Sequence, residues 1–196
     1  MNDIFILIIT SIMAFVATNI DDLFVLMIFF ANKDYKNNQI VIGQYLGVSF
    51  LILISLLGYF FKFIVPMSVI GLLGIFPIII GLKSLIDLKN RDKEDEIGEN
   101  LKSKGSSIFT VTFVSFINGG DNIGVYTPLF ATLDIYQLFV MVVVFMTMIG
   151  IWCLISQYLT NHRVIGDKIK KYGHLIFPFV LIALGIYIIL SNIILY

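Results

Sequence analysis

Six separate stretches of this chain are long and apolar enough to cross a lipid bilayer, which removes most folds from consideration. They run over residues 4–31, 40–61, 67–86, 108–131, 137–159 and 174–195, and a transmembrane helix needs about 20 mostly apolar residues. The chain is 59% hydrophobic with a mean hydropathy of +0.98, well beyond the roughly half-apolar makeup of soluble domains. Backbone groups in hydrocarbon must satisfy one another internally, so such stretches fold as helices. The predicted fold class is all-α, a polytopic membrane protein of six transmembrane helices. Its links are too short for a soluble module, so 1–196 reads as one domain.

The opening Met1-Asn2-Asp3 lacks the basic region of a cleavable signal, and the apolar run behind it is too long for one. The single cysteine, Cys153, falls inside the fifth stretch, and one thiol makes no intrachain disulfide. The net charge of zero hides an asymmetry. Lys33 and Lys36 lie in the first link, Lys83, Lys89, Arg91, Lys93, Lys102 and Lys104 in the third, and Arg163, Lys168, Lys170 and Lys171 in the fifth. Only Lys62 falls elsewhere, twelve against one. Basic links stay in the cytoplasm, so links one, three and five are expected there and both termini outside.

Two of the apolar stretches carry carboxylates near their middles. Asn19-Ile20-Asp21-Asp22 interrupts 4–31, and Asn118-Gly119-Gly120-Asp121-Asn122 interrupts 108–131. A charge at the bilayer centre costs about 2.5–3.5 kcal/mol on the mild insertion scale, so three carboxylates cost roughly 8–10 kcal/mol without compensation. Residues this costly mark a place where something polar binds or passes, and carboxylates point to a cation.

The two motifs also stand in register. At a spacing of 100 residues Asp21 falls on Asp121, Asp22 on Asn122, Val25 on Val125 and Phe30-Ala31 on Phe130-Ala131. Phe76-Pro77 maps onto Phe177-Pro178 at nearly the same offset, each followed by a glycine, Gly81 and Gly185. Three spans per copy is an odd number, so the second copy is expected upside down. Inverted repeats with a polar midplane site are a recurring plan of secondary transporters. The halves are then 4–86 and 108–196, joined by a charged cytoplasmic linker over 87–107 that reads as a solvated segment.

The first stretch holds 28 residues, about 42 Å of helix at 1.5 Å per residue, too long for a core about 30 Å thick unless tilted or broken. Adjacent residues on a helix point about 100° apart, so an unwinding near Asn19 is expected to turn Asp21 and Asp22 inward and free backbone carbonyls. Gly119-Gly120 weakens the helix at the second motif by about 1 kcal/mol per glycine. The candidate metal ligands are Asn19, Asp21, Asp22, Asn118, Asp121 and Asn122. Thr18, Gln44, Tyr45 and Thr127 are candidate pathway-lining residues. All are oxygen donors or amides, the set that hard divalent cations take. Carboxylates crowded in a low dielectric also exchange a metal for a proton.

Plainer readings of the same residues are packing and solvation. No Lys or Arg lies deep in a span to neutralise these carboxylates, though Asn and Thr can hydrogen-bond them as helix-packing groups. Met13, Met27, Met141, Met146 and Met148 read as packing, and His162 and His174 as solvated link residues. Gln44 and Tyr45 suit the membrane interface as well as a pathway, and no small-xxx-small pair stands out as an oligomer signal.

At these motifs the chain resembles the cadmium-resistance transporter family (CadD type) of the lysine-exporter superfamily. The stretches that carry the resemblance are Ile20-Asp21-Asp22-Leu23, Gly43-Gln44-Tyr45-Leu46-Gly47, Leu72-Leu73-Gly74-Ile75-Phe76-Pro77 with Gly81, and Gly120-Asp121-Asn122-Ile123-Gly124. The resemblance implies a six-span membrane protein that lowers cytoplasmic cadmium by export, with its site on Asp21, Asp22, Asp121 and Asn122. Asn19 and Asn118 are added from their place in the repeat. Cadmium is soft and these donors are oxygen, which suits a site whose everyday ion is harder, such as Mn or Zn. Expected partners are the metal ion as substrate and the bilayer. No resident cofactor and no nucleic acid are expected, and a homodimer is the assembly that related transporters suggest.

Two other readings compete. An exporter of an amino acid would offer a substrate carboxylate helix N-termini or an Arg rather than three carboxylates. An intramembrane aspartyl protease also places one Asp on each of two spans. There the glycine expected three residues before the second Asp is Asn118, and the doubled Asp21-Asp22 has no use. The chain is therefore expected not to be an enzyme.

Overall fold

The computed structural model of the chain describes residues 2–32, 34–61, 63–64, 72–89, 107–160 and 178–190. Every element among the described residues is helical. In chain order these are α1 (Asn2–Thr18), α2 (Ile20–Ala31), α3 (Asn37–Ser55), α4 (Leu57–Phe61), α5 (Ile75–Lys89), α6 (Ser107–Asn118), a 3-10 turn (Gly119–Asp121), α7 (Asn122–Ala131), α8 (Ile135–Thr160) and α9 (Pro178–Leu190). Two runs, Asn37–Phe60 and Ile135–Thr160, are each long and apolar enough to cross a bilayer. The pair α1 and α2 makes a third if counted as one span bent by 60°. The fourth apolar stretch is divided by the 3-10 turn, and the third and sixth are described only in part. Most of the charged linker, with His162 and His174, lies outside the described residues.

Helix α8 starts on a capping box. Asp134 Oδ1 accepts from the Gln137 N–H at 2.8 Å, and Gln137 Oε1 accepts from the Asp134 N–H at 3.0 Å. Two N–H groups that a helix start leaves bare are thereby satisfied. The rest of α8 is apolar on every face, with Phe139 and Leu154 about two-thirds exposed while Met141, Phe145 and Ile149 are fully buried. A helix apolar all round belongs in a core or in lipid, and one with large exposed apolar side chains belongs at a lipid boundary.

Packing is organised around two pairings. Helix α3 lies along α6, and α8 lies along both α1 and α2. The first contact depends on Gly43 and Gly47, four residues apart on one face of α3. A Cβ on Gly43 would stand 2.6 Å from Val111 Cβ, and one on Gly47 2.7 Å from Ser115 Cβ and 2.8 Å from the Thr112 carbonyl oxygen. Gly43 and Gly47 form a small-xxx-small pair, although none stood out as an oligomer signal. It is spent within the chain, where it brings two backbones together. The second contact is aromatic: Phe15 meets Phe145 at 5.6 Å and Trp152 edge-on at 5.5 Å, and Tyr126 meets Phe145 at 4.7 Å. Near the end of the chain, Gly74 and Gly185 each lie against the other's carbonyl, joining the segment before α5 to α9.

Candidate metal centre

The anticipated irregularity in the first stretch falls at Asn19, where the backbone leaves the helix (φ −118°, ψ 17°) between α1 and α2. The break lies where it was expected, and Asp21 and Asp22 follow it in the first turn of α2. There the free N–H groups and the helix dipole offset part of the cost of burying negative charge, about 0.3–1 kcal/mol per group. The second motif has the same design. The 3-10 turn places Asp121 immediately before α7 and Asn122 as its first residue.

Asn118, the last residue of α6, spans both carboxylates of the other motif. Its Nδ2 lies 3.3 Å from Asp21 Oδ2 and 3.3 Å from Asp22 Oδ1. Asp22 is buried and Asp21 half-buried, whereas Asp121 is exposed on the described surface. Asp22 Oδ2 also accepts from Gln44 Nε2, and Gln44 Oε1 accepts from the Ser115 hydroxyl.

Beside this acidic layer lies a neutral one. Asn19 Nδ2 donates to Tyr126 Oη at 2.7 Å, to Thr18 Oγ1 at 2.9 Å and to the Phe15 carbonyl at 2.9 Å. Asn19 Oδ1 accepts from Asn122 Nδ2 at 3.3 Å. The Asn19 carbonyl, freed by the break, accepts from Trp152 Nε1 at 2.6 Å. The Asn122 carbonyl oxygen Oδ1 is buried without a hydrogen-bond partner. Such a group costs about 1–3 kcal/mol and has lone pairs to offer a cation.

The structure thus joins Asn118 to Asp21 and Asp22, and Asn122 to Asn19, around the two breaks, while Asp121 is exposed at the second break. Among the candidate pathway residues, Thr18 and Gln44 are buried in this network. Tyr45 is half-buried and donates to the Met146 carbonyl at 3.1 Å. Thr127 is half-buried, with its carbonyl against Gly58. Sequence reasoning missed Ser115, Tyr126 and Trp152. Ser115 was within reach, because positions 115, 118 and 122 follow the three- and four-residue spacing of one helix face. Among the described residues, no three His, Cys, Asp or Glu side chains converge closely enough to hold a metal ion on their own. A cation held here would have to draw on amide or backbone oxygens as well.

The adjacent glycines of the second motif do different work. A Cβ on Gly119 runs into Leu51 Cδ1 and stands 3.1 Å from Asn122 Nδ2, whereas one on Gly120 meets nothing within 4 Å. Gly119→Ala is expected to lower the melting temperature of the purified protein through overpacking worth about 1–3 kcal/mol. Gly120→Ala, at a position without positive φ, is expected to leave it unchanged or raise it, by up to about 1 kcal/mol. Thermal unfolding in detergent reads both, and equal effects would contradict the packing.

The model of the cadmium resistance transporter family matches residues 15–195, nearly the whole chain and both acidic motifs. The chain belongs to this family. No curated protein and no solved structure matches it. Membership in the cadmium resistance transporters, with helices apolar enough to span, makes this a membrane protein of a transporter family.

Proposed function

We propose that the protein is a secondary carrier that exports divalent metal cations, Cd2+ among them and Zn2+ or Mn2+ as harder alternatives, in exchange for protons. The cation is held between the two acidic motifs. The observation that carries this reading is the Asn118 amide, from the second half of the chain, seated against both Asp21 and Asp22 of the first. A cation there would draw on oxygens of Asp21 and Asp22, with the Asp121 carboxylate and the amides of Asn19, Asn118 and Asn122 supplying the rest. Hard, oxygen-only donors suit an everyday ion harder than cadmium.

The carrier is one domain of six spans in two inverted halves, 4–86 and 108–196, with links one, three and five in the cytoplasm and both termini outside. Contacts that exchange when the halves are exchanged support this. Leu53-Ile54-Ser55 repeats as Leu154-Ile155-Ser156, an offset of 101 in the second spans. At offsets of 100 and 101, the Gln44–Ser115 contact corresponds to Phe145–Phe15. Leu51 against Gly119 corresponds to Trp152 against Asn19. The pairing of α3 with α6 corresponds to that of α8 with α1. Alternating access then rocks one half against the other around the shared site.

The test is uptake of radioactive Cd2+ by everted membrane vesicles, whose lumen stands for the cell exterior. Accumulation driven by an acidic lumen and lost on adding a protonophore is expected. Uptake indifferent to the pH gradient removes proton exchange from the proposal, and no uptake removes export.

A further inference from the structure

We infer that Ser115 and Gln44 form a two-step positioning relay that fixes the Asp22 carboxylate for cation binding, an inference that rests on the carrier reading above. Both side chains are fully buried, Gln44 at 0% and Ser115 at 1% exposure. Their hydrogen bonds leave one arrangement. An ionised carboxylate only accepts, so the Gln44 Nε2 must face Asp22. The Gln44 Oε1 must then face Ser115, whose hydroxyl has to donate. Without Ser115 the amide loses the partner that holds its oxygen away from the carboxylate.

The relay is closed by backbone. Gly47 presses against Ser115 Cβ and the Thr112 carbonyl, so α3 and α6 cannot drift apart without breaking a close interhelical approach beside the site. Gln44 takes one lone pair of Oδ2, and Asn118 one of Oδ1. A carboxylate has about four such positions. Those that remain are held still relative to Asp21.

The other half of the chain shows that the fold itself does not require a polar pair here. At the equivalent positions, Phe145 and Phe15 make the same interhelical contact with two aromatic rings. There the residue equivalent to Asp22 is Asn122, and its buried Oδ1 receives no donor. The amide and hydroxyl occur only where the half-site carries the carboxylate. That difference assigns them to Asp22 rather than to packing.

The experiment is Cd2+ binding to the purified full chain in detergent, read as the metal-induced rise in melting temperature across a Cd2+ titration, for Ser115→Ala, Ser115→Thr, Gln44→Met and the Ser115→Ala/Gln44→Met double variant. Ser115→Ala is expected to melt without metal within a few degrees of wild type and to bind Cd2+ about 10-fold more weakly, the lower end of what loss of a ligand's supporting hydrogen bond removes. Ser115→Thr, which keeps the hydroxyl, is expected to restore most of the affinity. Gln44→Met is expected to weaken binding about 100-fold, and the double variant no further, because a residue acting only through Gln44 has nothing left to act on. Wild-type affinity in Ser115→Ala, or losses that add in the double variant, overturns the relay. Should Gln44→Met not fold, the contrast between the Ala and Thr variants at 115 decides alone. Asp21→Asn in the same titration separates the two levels: wild-type affinity there overturns the carrier site itself, whereas lost affinity alongside a normal Ser115→Ala overturns the relay only.

Discussion

Asp21→Asn and Asp121→Asn are each expected to reduce Cd2+ accumulation by everted vesicles to the level of vesicles lacking the protein, with the variant still present in the membrane in normal amount. Each substitution keeps the shape of the side chain and removes one negative charge. A unit charge about 4 Å from another contributes about 4 kcal/mol at an effective dielectric of about 20, and more against a divalent ion. That is several orders of magnitude in affinity. Asp134→Asn is the control, since Asp134 is exposed at the cap of α8 and outside the site. Wild-type accumulation by either site variant would show that its carboxylate does not hold the cation.

The second large effect is on folding. Gly47→Val is expected to destabilise the protein by about 2–3 kcal/mol, the upper range for overpacking, and to lower its melting temperature by roughly 5–10 °C. Even the first carbon of the new side chain would stand 2.7 Å from Ser115 Cβ and 2.8 Å from the Thr112 carbonyl oxygen. Neither backbone can yield without separating α3 from α6. Gly150→Ala offers a comparison, because there the added carbon meets only the Tyr45 hydroxyl at 2.8 Å, the far end of a side chain that can swing away. A melting temperature for Gly47→Val no lower than that of Gly150→Ala would contradict the packing.

The features legible in the sequence were those set by local physics. Length and hydropathy marked Asn37–Phe60 and Ile135–Thr160 as helices able to span. The surplus length of the first stretch and the paired glycines of the fourth located the two breaks, at Asn19 and at Gly119–Asp121. Register alone drew attention to Asn118, which lies against Asp21 and Asp22. What stayed hidden depends on residues far apart in the chain. Ser115 reaches Gln44 across 71 positions and Trp152 reaches the Asn19 carbonyl across 133. No local pattern announces such a bond. Gly43 and Gly47 were visible as glycines, yet their purpose appears only with the backbone of α6 beside them. The break expected near Asn19 falls there, whereas one Asn118 amide serving two neighbouring carboxylates from the end of an opposing helix could be seen only with both helices in place.

That single amide has a further consequence for turnover. Asn118 points the same nitrogen at two carboxylates at 3.3 Å each, a loose clasp by the standards of charge-assisted hydrogen bonds. In the carrier proposed above, an arriving ion would trade places with a weak incumbent instead of breaking a strong one, and a departing ion would leave behind side chains able to close over the gap. On that proposal grip and release would stay near balance, as a shuttle that must unload on every trip requires.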